Sequence, residues 1–104
     1  MGCGEKRVLV DELTNKGSED SPLMYSADGL FTGVGFDVYP DGQLKEEGNY
    51  KDGKKDGLYK EWGMFGERIE VNYKDGKQDG LWKAWHINGQ LMYEWNFKDD
   101  KADG

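Results

Sequence analysis

The stretch that decides the fold runs from residue 52 to residue 62 and reads DGKKDGLYKEW. The chain repeats it 23 residues later, at residues 75–85, as DGKQDGLWKAW. A more divergent copy, DGLFTGVGFDV, comes earlier, at residues 28–38, and DDKADG at residues 99–104 begins a fourth. Between the copies lies a second glycine series: Gly42, Gly66 and Gly89. These phased glycines identify a repeat array with about 23–24 residues per unit.

Each unit predicts two antiparallel strands joined by tight turns. Asp-Gly and Asn-Gly dipeptides supply the positive φ angles of hairpin turns. They occur at residues 41–42, 52–53, 75–76 and 88–89. The runs between them are rich in Tyr, Trp, Phe, Val and Leu, which favour strands. We therefore predict an all-β fold, a single-layer antiparallel meander of β-hairpin repeats, with strands at 31–39, 43–50, 57–64, 67–74, 81–87 and 90–97.

The chain is predicted to be one domain, residues 1–104. Residues 1–25 do not repeat, and we expect them to form a cap with strands at 8–13 and 23–26, because an array needs cover at its open edge. A degenerate repeat follows at 26–49, two clear repeats occupy 50–72 and 73–96, and a partial repeat occupies 97–104.

The last hairpin allows a trial register. A two-residue loop at Asn88-Gly89 places Trp85 opposite Met92, Lys83 opposite Glu94, and Trp82 opposite Trp95; such pairs stabilise a sheet. The hairpin around Phe65-Gly66 has one residue fewer, so we expect its register to differ or to contain a bulge.

Composition excludes several classes of protein. The chain has a net charge of −7, 16 glycines and 13% aromatic residues. Disordered acidic chains are poor in aromatic residues, and helical bundles do not tolerate so many glycines. The negative charge argues against nucleic-acid binding and against anionic membrane surfaces. There is no apolar run of about 18 residues, so we expect no transmembrane segment.

The repeat unit resembles a known family. Asp-Gly-Lys-x-Asp-Gly-Leu-aromatic-Lys-x-Trp, followed by Asn-Gly-Gln-Leu, is similar to the bacterial variant of the MORN repeat, whose members are often described as antitoxin-component repeat proteins. The resemblance implies a β-hairpin repeat fold, and members are frequently small lipoproteins or secreted proteins. The chain departs from the pattern at residues 63–66, which read GMFG, and at Asp99-Asp100, where Asp-Gly is typical.

The one cysteine, Cys3, leaves the compartment open. It follows Gly2, as the lipid-modified cysteine of a bacterial lipoprotein follows a small residue, and it is our lipidation candidate. The alternative is an ordinary cytosolic thiol. A myristoylation signal is disfavoured because Lys6 stands where that signal has Ser or Thr. The expected location is therefore either the bacterial cell envelope or the cytoplasm.

The sequence predicts no catalytic residues, no metal site and no cofactor. The single histidine, His86, has no partners suited to catalysis or metal binding. Asp52, Asp56, Asp75 and Asp79 recur around glycines, but the closing Glu of a calcium loop is missing. We expect these aspartates to serve the turns and the protein not to be an enzyme.

The predicted function is a scaffold that binds a protein partner. One candidate surface is an aromatic face formed by Tyr59, Trp82 and Trp95 and rimmed by Glu61 and Glu94. The alternative is that these rings only stack on one another. A sheet edge could bind a partner by strand addition, or associate with a second copy. Two further alternatives are a carbohydrate-binding surface module and an antitoxin that neutralises a cognate toxin.

Overall fold

The structure, a computed structural model, describes residues 6–102. It contains eleven strands and one short 3-10 helix at Val10–Glu12. The strands are β1 Arg7–Leu9, β2 Thr14–Asn15, β3 Met24–Ser26, β4 Gly29–Leu30, β5 Gly33–Val38, β6 Leu44–Lys51, β7 Lys54–Trp62, β8 Arg68–Lys74, β9 Lys77–Trp85, β10 Leu91–Lys98 and β11 Lys101–Ala102.

Eight of these strands form one sheet in the order β1-β5-β6-β7-β8-β9-β10-β11. From β5 onward each strand pairs antiparallel with the next one along the chain, which confirms the predicted meander of hairpins. At the other end, β1 lies parallel to β5 and covers its open edge. The strands β2, β3 and β4 form a separate small sheet.

The Asp-Gly pairs between repeats form two-residue turns, as predicted. Asp52 and Gly53 have φ angles of 51° and 84°, and Asp75 and Gly76 have 51° and 85°. These angles match the primed turn that follows the twist of a hairpin. Asp99-Asp100 adopts the same turn without a glycine, and the Asp100 carboxylate accepts a hydrogen bond from the Gln78 N–H at 2.8 Å.

The loop at Asn88-Gly89 differs from the trial register. The His86 N–H donates to the Gln90 carbonyl, so the loop has three residues rather than two. Trp85 consequently lies opposite Leu91, and the predicted Trp85–Met92 pair is wrong. A bulge at Met92 absorbs the shift, so the Lys83–Glu94 and Trp82–Trp95 pairs are confirmed.

The hairpin around Phe65-Gly66 uses the same three-residue loop but has no bulge. The Gly63 N–H donates to the Glu67 carbonyl, and the pairing then runs without interruption from Trp62–Arg68. The residue that this hairpin lacks is therefore the bulge residue. The predicted difference in register is confirmed.

Two predicted strand starts were too late. The strands β7 and β9 begin at Lys54 and Lys77, directly after the turns, instead of at residues 57 and 81. The cause is that the second Asp-Gly of each copy, such as Asp56-Gly57, lies in an irregularity inside the strand. Gly57 has a φ of 101° there, which explains why glycine recurs at this position.

The cap matches its prediction in part. The strand β3 forms as expected, and the Met24 N–H donates to the Gly53 carbonyl at 2.8 Å. The predicted strand at 8–13 is wrong beyond Leu9, because the chain turns through the 3-10 helix. That turn brings Leu13 into the core.

The core lies on one side of the large sheet, which we call the inner face. It is the side that carries Gly48, Tyr50, Tyr59 and Val71. The rings of Phe31, Tyr50, Tyr59 and Tyr73 follow one another with centroids 5.7, 6.3 and 6.0 Å apart. The cap residues Leu13 and Met24 pack on this ring row.

Gly48 and Gly35 make room for these rings. A Cβ atom on Gly48 would lie 1.8 Å from Cδ2 of Tyr59, its direct partner across β6 and β7, and one on Gly35 would lie 2.8 Å from Cε1 of Tyr50. Neither position is one of the predicted turn glycines. Some of the 16 glycines therefore allow the rings to pack and do not form turns.

We expect Gly48→Ala to destabilise the fold by about 1–3 kcal/mol, because the added methyl group overpacks the site of a buried ring. Urea unfolding measures the change. Lys45→Ala, on the same strand but exposed, is the control and should change little. Equal stability of the two variants would contradict this packing.

Candidate functional site

The predicted aromatic residues lie in one row across the inner face. Tyr59 pairs with Val71, Val71 with Trp82, and Trp82 with Trp95, across four neighbouring strands. Directly opposed residues of an antiparallel sheet point to the same face. The register therefore brings Tyr59, Trp82 and Trp95 together as predicted, with Val71 inserted between the first two.

Exposure changes steadily along this row. Tyr59 is only 2% exposed and Val71 is buried, whereas Trp82 is half-buried and Trp95 is 48% exposed. The cap causes the gradient because it packs on the β6–β7 end of the inner face. The prediction of Tyr59 as an exposed contact residue is wrong, since its ring belongs to the core.

The two predicted rim glutamates lie on opposite faces. Glu61 is exposed on the inner face, two residues beyond Tyr59 on β7. Glu94 pairs with Lys83 on the outer face, where its carboxylate lies 3.6 Å from the Lys83 ammonium. Because neighbouring residues of a strand point to opposite faces, Glu94 cannot share a face with Trp95, and its predicted place in the rim is wrong.

Three tyrosines line a cleft of about 500 Å³ between the cap and the inner face. The Tyr59 hydroxyl donates to Oε1 of Glu46 at 2.7 Å. The Lys55 ammonium lies 4.1 Å from the ring centroid of Tyr59 and 5.1 Å from that of Tyr73, within the range of cation–π attraction. The cleft thus joins aromatic rings to one cation and one carboxylate.

The environment of the cleft keeps its tyrosines protonated. Burial raises the pKa of Tyr59, and the hydrogen bond to Glu46 raises it further. Burial also raises the pKa of Tyr50 and Tyr73; the charge of Glu61 adds to the effect at Tyr73. Each phenol group is therefore a neutral hydrogen-bonding group across the physiological range.

The inner face remains uncovered at its far end. Trp82, Tyr93 and Trp95, which we call the aromatic patch, lie there on β9 and β10. Tyr93 is 53% exposed and Trp95 is 48% exposed. Tyr93 lies opposite the small Ala84, so little of its ring is covered from β9. Large exposed aromatic side chains next to one another mark an interaction surface more often than a surface that contacts only solvent.

The other chemical candidates stand apart from the aromatic patch. His86 is exposed at the start of the last three-residue loop. The Asp56 carboxylate accepts a hydrogen bond from the Asp75 N–H at 3.3 Å, in line with the turn role expected of these aspartates. Between residues 6 and 102, no three His, Cys, Asp or Glu residues form a group able to hold a metal ion. Cys3 lies outside the described residues.

No helix in the described part of the chain has the length and apolar character needed to cross a membrane.

Two features of the site escaped the sequence analysis. Two of the three cleft tyrosines, Tyr50 and Tyr73, were not singled out, although they stand 23 residues apart in the repeat, two residues before each Asp-Gly turn. The stacking of Arg68, 4.1 Å from the Trp85 ring on the outer face, also went unpredicted. The 23-residue period could have identified the tyrosines. The Arg68–Trp85 stacking could not be predicted without the register that places Trp85 opposite Arg68.

Comparison with known families gives one result. The family profile described as MORN repeat variant matches the chain at residues 31–52 and 78–99. The first segment contains the β5–β6 hairpin, and the second contains the β9–β10 hairpin except for Lys77; both hairpins have the bulge that the β7–β8 hairpin lacks. The chain is thus similar to MORN repeat variants in two places. No curated protein and no solved structure matches it significantly.

We expect three of the six tyrosines to resist ionisation in the folded protein, because their pKa values lie above the ordinary value of about 10. Because folding raises these pKa values, the free energy of unfolding is highest below about pH 10, the ordinary pKa of tyrosine. It falls as the pH rises toward the folded-state pKa values.

Phenolate absorbance during an alkaline titration measures this, with and without denaturant. Tyr59→Phe should remove one late-titrating group, whereas Tyr93→Phe, at an exposed position, is the control. Six tyrosines that titrate together in the folded chain would contradict the buried cleft.

Proposed function

We propose that this chain is a non-enzymatic scaffold that binds another protein through the aromatic patch. The observation that carries the proposal is the uneven cover of a single face: one end of the inner face is buried under the cap, and the other end exposes Tyr93 and Trp95 beside the half-buried Trp82. Tyr and Trp are the residues that most often anchor protein partners.

The cap supports this proposal by example. It covers the inner face with two- and three-residue strands and a few apolar side chains, among them Leu13 and Met24. The same chemistry continues beyond the cap along the Val71, Trp82 and Trp95 row. A partner with a short apolar segment would bury this end as the cap buries the other.

Charge indicates the kind of partner. Asp37 pairs with Glu46, and Glu46 with Glu61, so three carboxylates line up across the inner face. Like charges directly opposed in a sheet are unfavourable, and the net charge of −7 adds to the negative field. These carboxylates lie on β5, β6 and β7, so a partner that extends from the aromatic patch along the inner face with basic side chains would relieve this repulsion.

Carbohydrate binding by Trp82 and Trp95 is the second candidate, and a glycan array tests it. An antitoxin role rests on the family resemblance alone, and rescue of growth on co-expression with the product of a neighbouring gene tests it. Lipid attachment at Cys3, with a place in the cell envelope, is tested by metabolic lipid labelling of the wild type and Cys3→Ser.

We expect Trp82→Ala combined with Trp95→Ala to abolish partner capture, because both anchor rings are removed. The measurement is quantitative pull-down from an extract of the source organism, with circular dichroism to verify the β fold.

Trp85→Ala is the matched control, since it removes the same side chain from the outer face. Capture that is lost in the double variant and kept in the control supports the proposal. Undiminished capture by a folded double variant overturns it.

A further inference from the structure

The cleft between the cap and the inner face has the size and the composition of a ligand site. Its volume of about 500 Å³ lies within the range of about 300–1,000 Å³ that is usual for small-molecule sites. The cap contributes Val10 and Met24, and the sheet contributes three tyrosine rings together with Lys55 and Glu46. Because a few polar groups in a mostly apolar site orient its ligand, the two charged groups indicate which ligand fits.

The Lys55 ammonium lies against two aromatic rings of the cleft. Lys55 pairs with Tyr50 across β6 and β7, so its side chain starts on the inner face. It reaches the rings of Tyr59 and Tyr73 past Gly57, which has no side chain. No carboxylate in the described part of the chain lies within 4.0 Å of this ammonium. Because Lys55 is half-buried, an anionic group of a ligand would stabilise its charge.

The lysine is particular to this repeat. Phe31, Lys55 and Gln78 each follow the glycine of their Asp-Gly pair by two residues, so they hold the same position in successive repeats. Phe31 is 1% exposed and belongs to the core, and Gln78 is uncharged. The repeat therefore does not require a cation at this position, and the charge of Lys55 needs another explanation.

Glu46 supplies the opposite charge, at the hydroxyl end of the Tyr59 ring. Its Oε1 accepts the hydrogen bond of the Tyr59 hydroxyl, whereas its Oε2 accepts none from the residues that the structure describes. Glu61 lies directly opposite Glu46 on β7, and opposed like charges are unfavourable. A cationic group of a ligand next to Glu46 would therefore be stabilised.

Ligands with a single charge fit this pair of residues poorly. An anion next to Lys55 would be repelled by Glu46, and a cation next to Glu46 would be repelled by Lys55. A neutral ligand would remove water from both charges without pairing either of them. A zwitterion satisfies both residues. An α-amino acid has its ammonium and its carboxylate on one carbon atom, and it can bridge two protein charges that only the Tyr59 ring separates.

We propose that the cleft binds a free α-amino acid with a large apolar side chain. The ligand carboxylate pairs with the Lys55 ammonium, the ligand ammonium pairs with the Glu46 carboxylate, and the ligand side chain packs against the tyrosine rings and Met24. The cleft lies at the capped end of the inner face, whereas the aromatic patch lies at the other end. This inference therefore goes beyond the proposed function and does not depend on it.

Isothermal titration calorimetry of the full chain with L-phenylalanine tests the class of ligand. L-phenylalanine amide lacks the carboxylate and N-acetyl-L-phenylalanine lacks the ammonium, so each derivative removes one of the two ion pairs. We expect saturable binding of the amino acid and binding of each derivative that is weaker by about tenfold or more. No binding of L-phenylalanine, L-leucine or L-methionine up to about 10 mM, or equal binding of the derivatives, would overturn the inference.

Two conservative variants assign each ligand charge to its residue. Lys55→Gln introduces the side chain that the next repeat has at this position, and Glu46→Gln keeps an oxygen that can accept the Tyr59 hydroxyl. Lys55→Gln should no longer distinguish the amino acid from its amide, and Glu46→Gln should no longer distinguish it from the N-acetyl derivative. Lys54→Gln and Glu19→Gln make the same changes of charge at exposed positions and should keep both distinctions. Equal behaviour of the cleft variants and these controls would contradict the assignment.

The double variant Trp82→Ala with Trp95→Ala separates the cleft from the proposed function. We expect it to lose partner capture and to keep amino-acid binding, whereas Lys55→Gln should do the reverse. Amino-acid binding that the folded double variant abolishes would place the ligand on the aromatic patch and overturn the inference. Partner capture that depends on the two tryptophans, together with no amino-acid binding by the wild type, would leave the proposed function in place and remove the cleft ligand.

Discussion

The packing of the Tyr59 ring against the backbone of Gly48 is the contact on which the rest of the structure depends. A single-layer sheet has two faces, and a chain of this size can bury only part of one. Tyr59, 2% exposed, lies at the centre of that part, between Tyr50 and Tyr73 in the ring row and beneath the cap. Gly48 lets the ring approach, and the cap closes over it.

The two faces of the sheet are stabilised in different ways. The outer face is stabilised by its own neighbours: glutamates and lysines alternate across β6 to β10, Arg68 stacks on Trp85, and asparagine amides bind carbonyls of the next strand. Each such pair contributes about 0.2–1 kcal/mol and tolerates water. The inner face depends on apolar cover instead, so it changes from core to open surface where the cap stops. This asymmetry is the basis of the functional proposal.

The hairpins could be predicted from the residue types at their turns, whereas the long-range contacts could not. The Asp52-Gly53 turn could be predicted because the needed positive φ values belong to those residue types. The Lys83–Glu94 and Trp82–Trp95 pairs were predicted from a two-residue loop, and they are correct because the extra loop residue and the Met92 bulge cancel each other. The burial of Tyr59 did not follow, because it is caused by residues such as Leu13 and Met24 more than 30 positions away in a segment that does not repeat.

The sequence by itself determined the repeat, its turns, the antiparallel order of the strands and the alternation of side chains between two faces. These properties depend on contacts between near neighbours in the chain, which the 23-residue period displays directly. Only the tertiary structure decided which face is the core, which aromatic rings are open and which glutamate belongs to which side. Those outcomes depend on where the cap folds back and on bulges that reset the register, and neither is a property of one repeat.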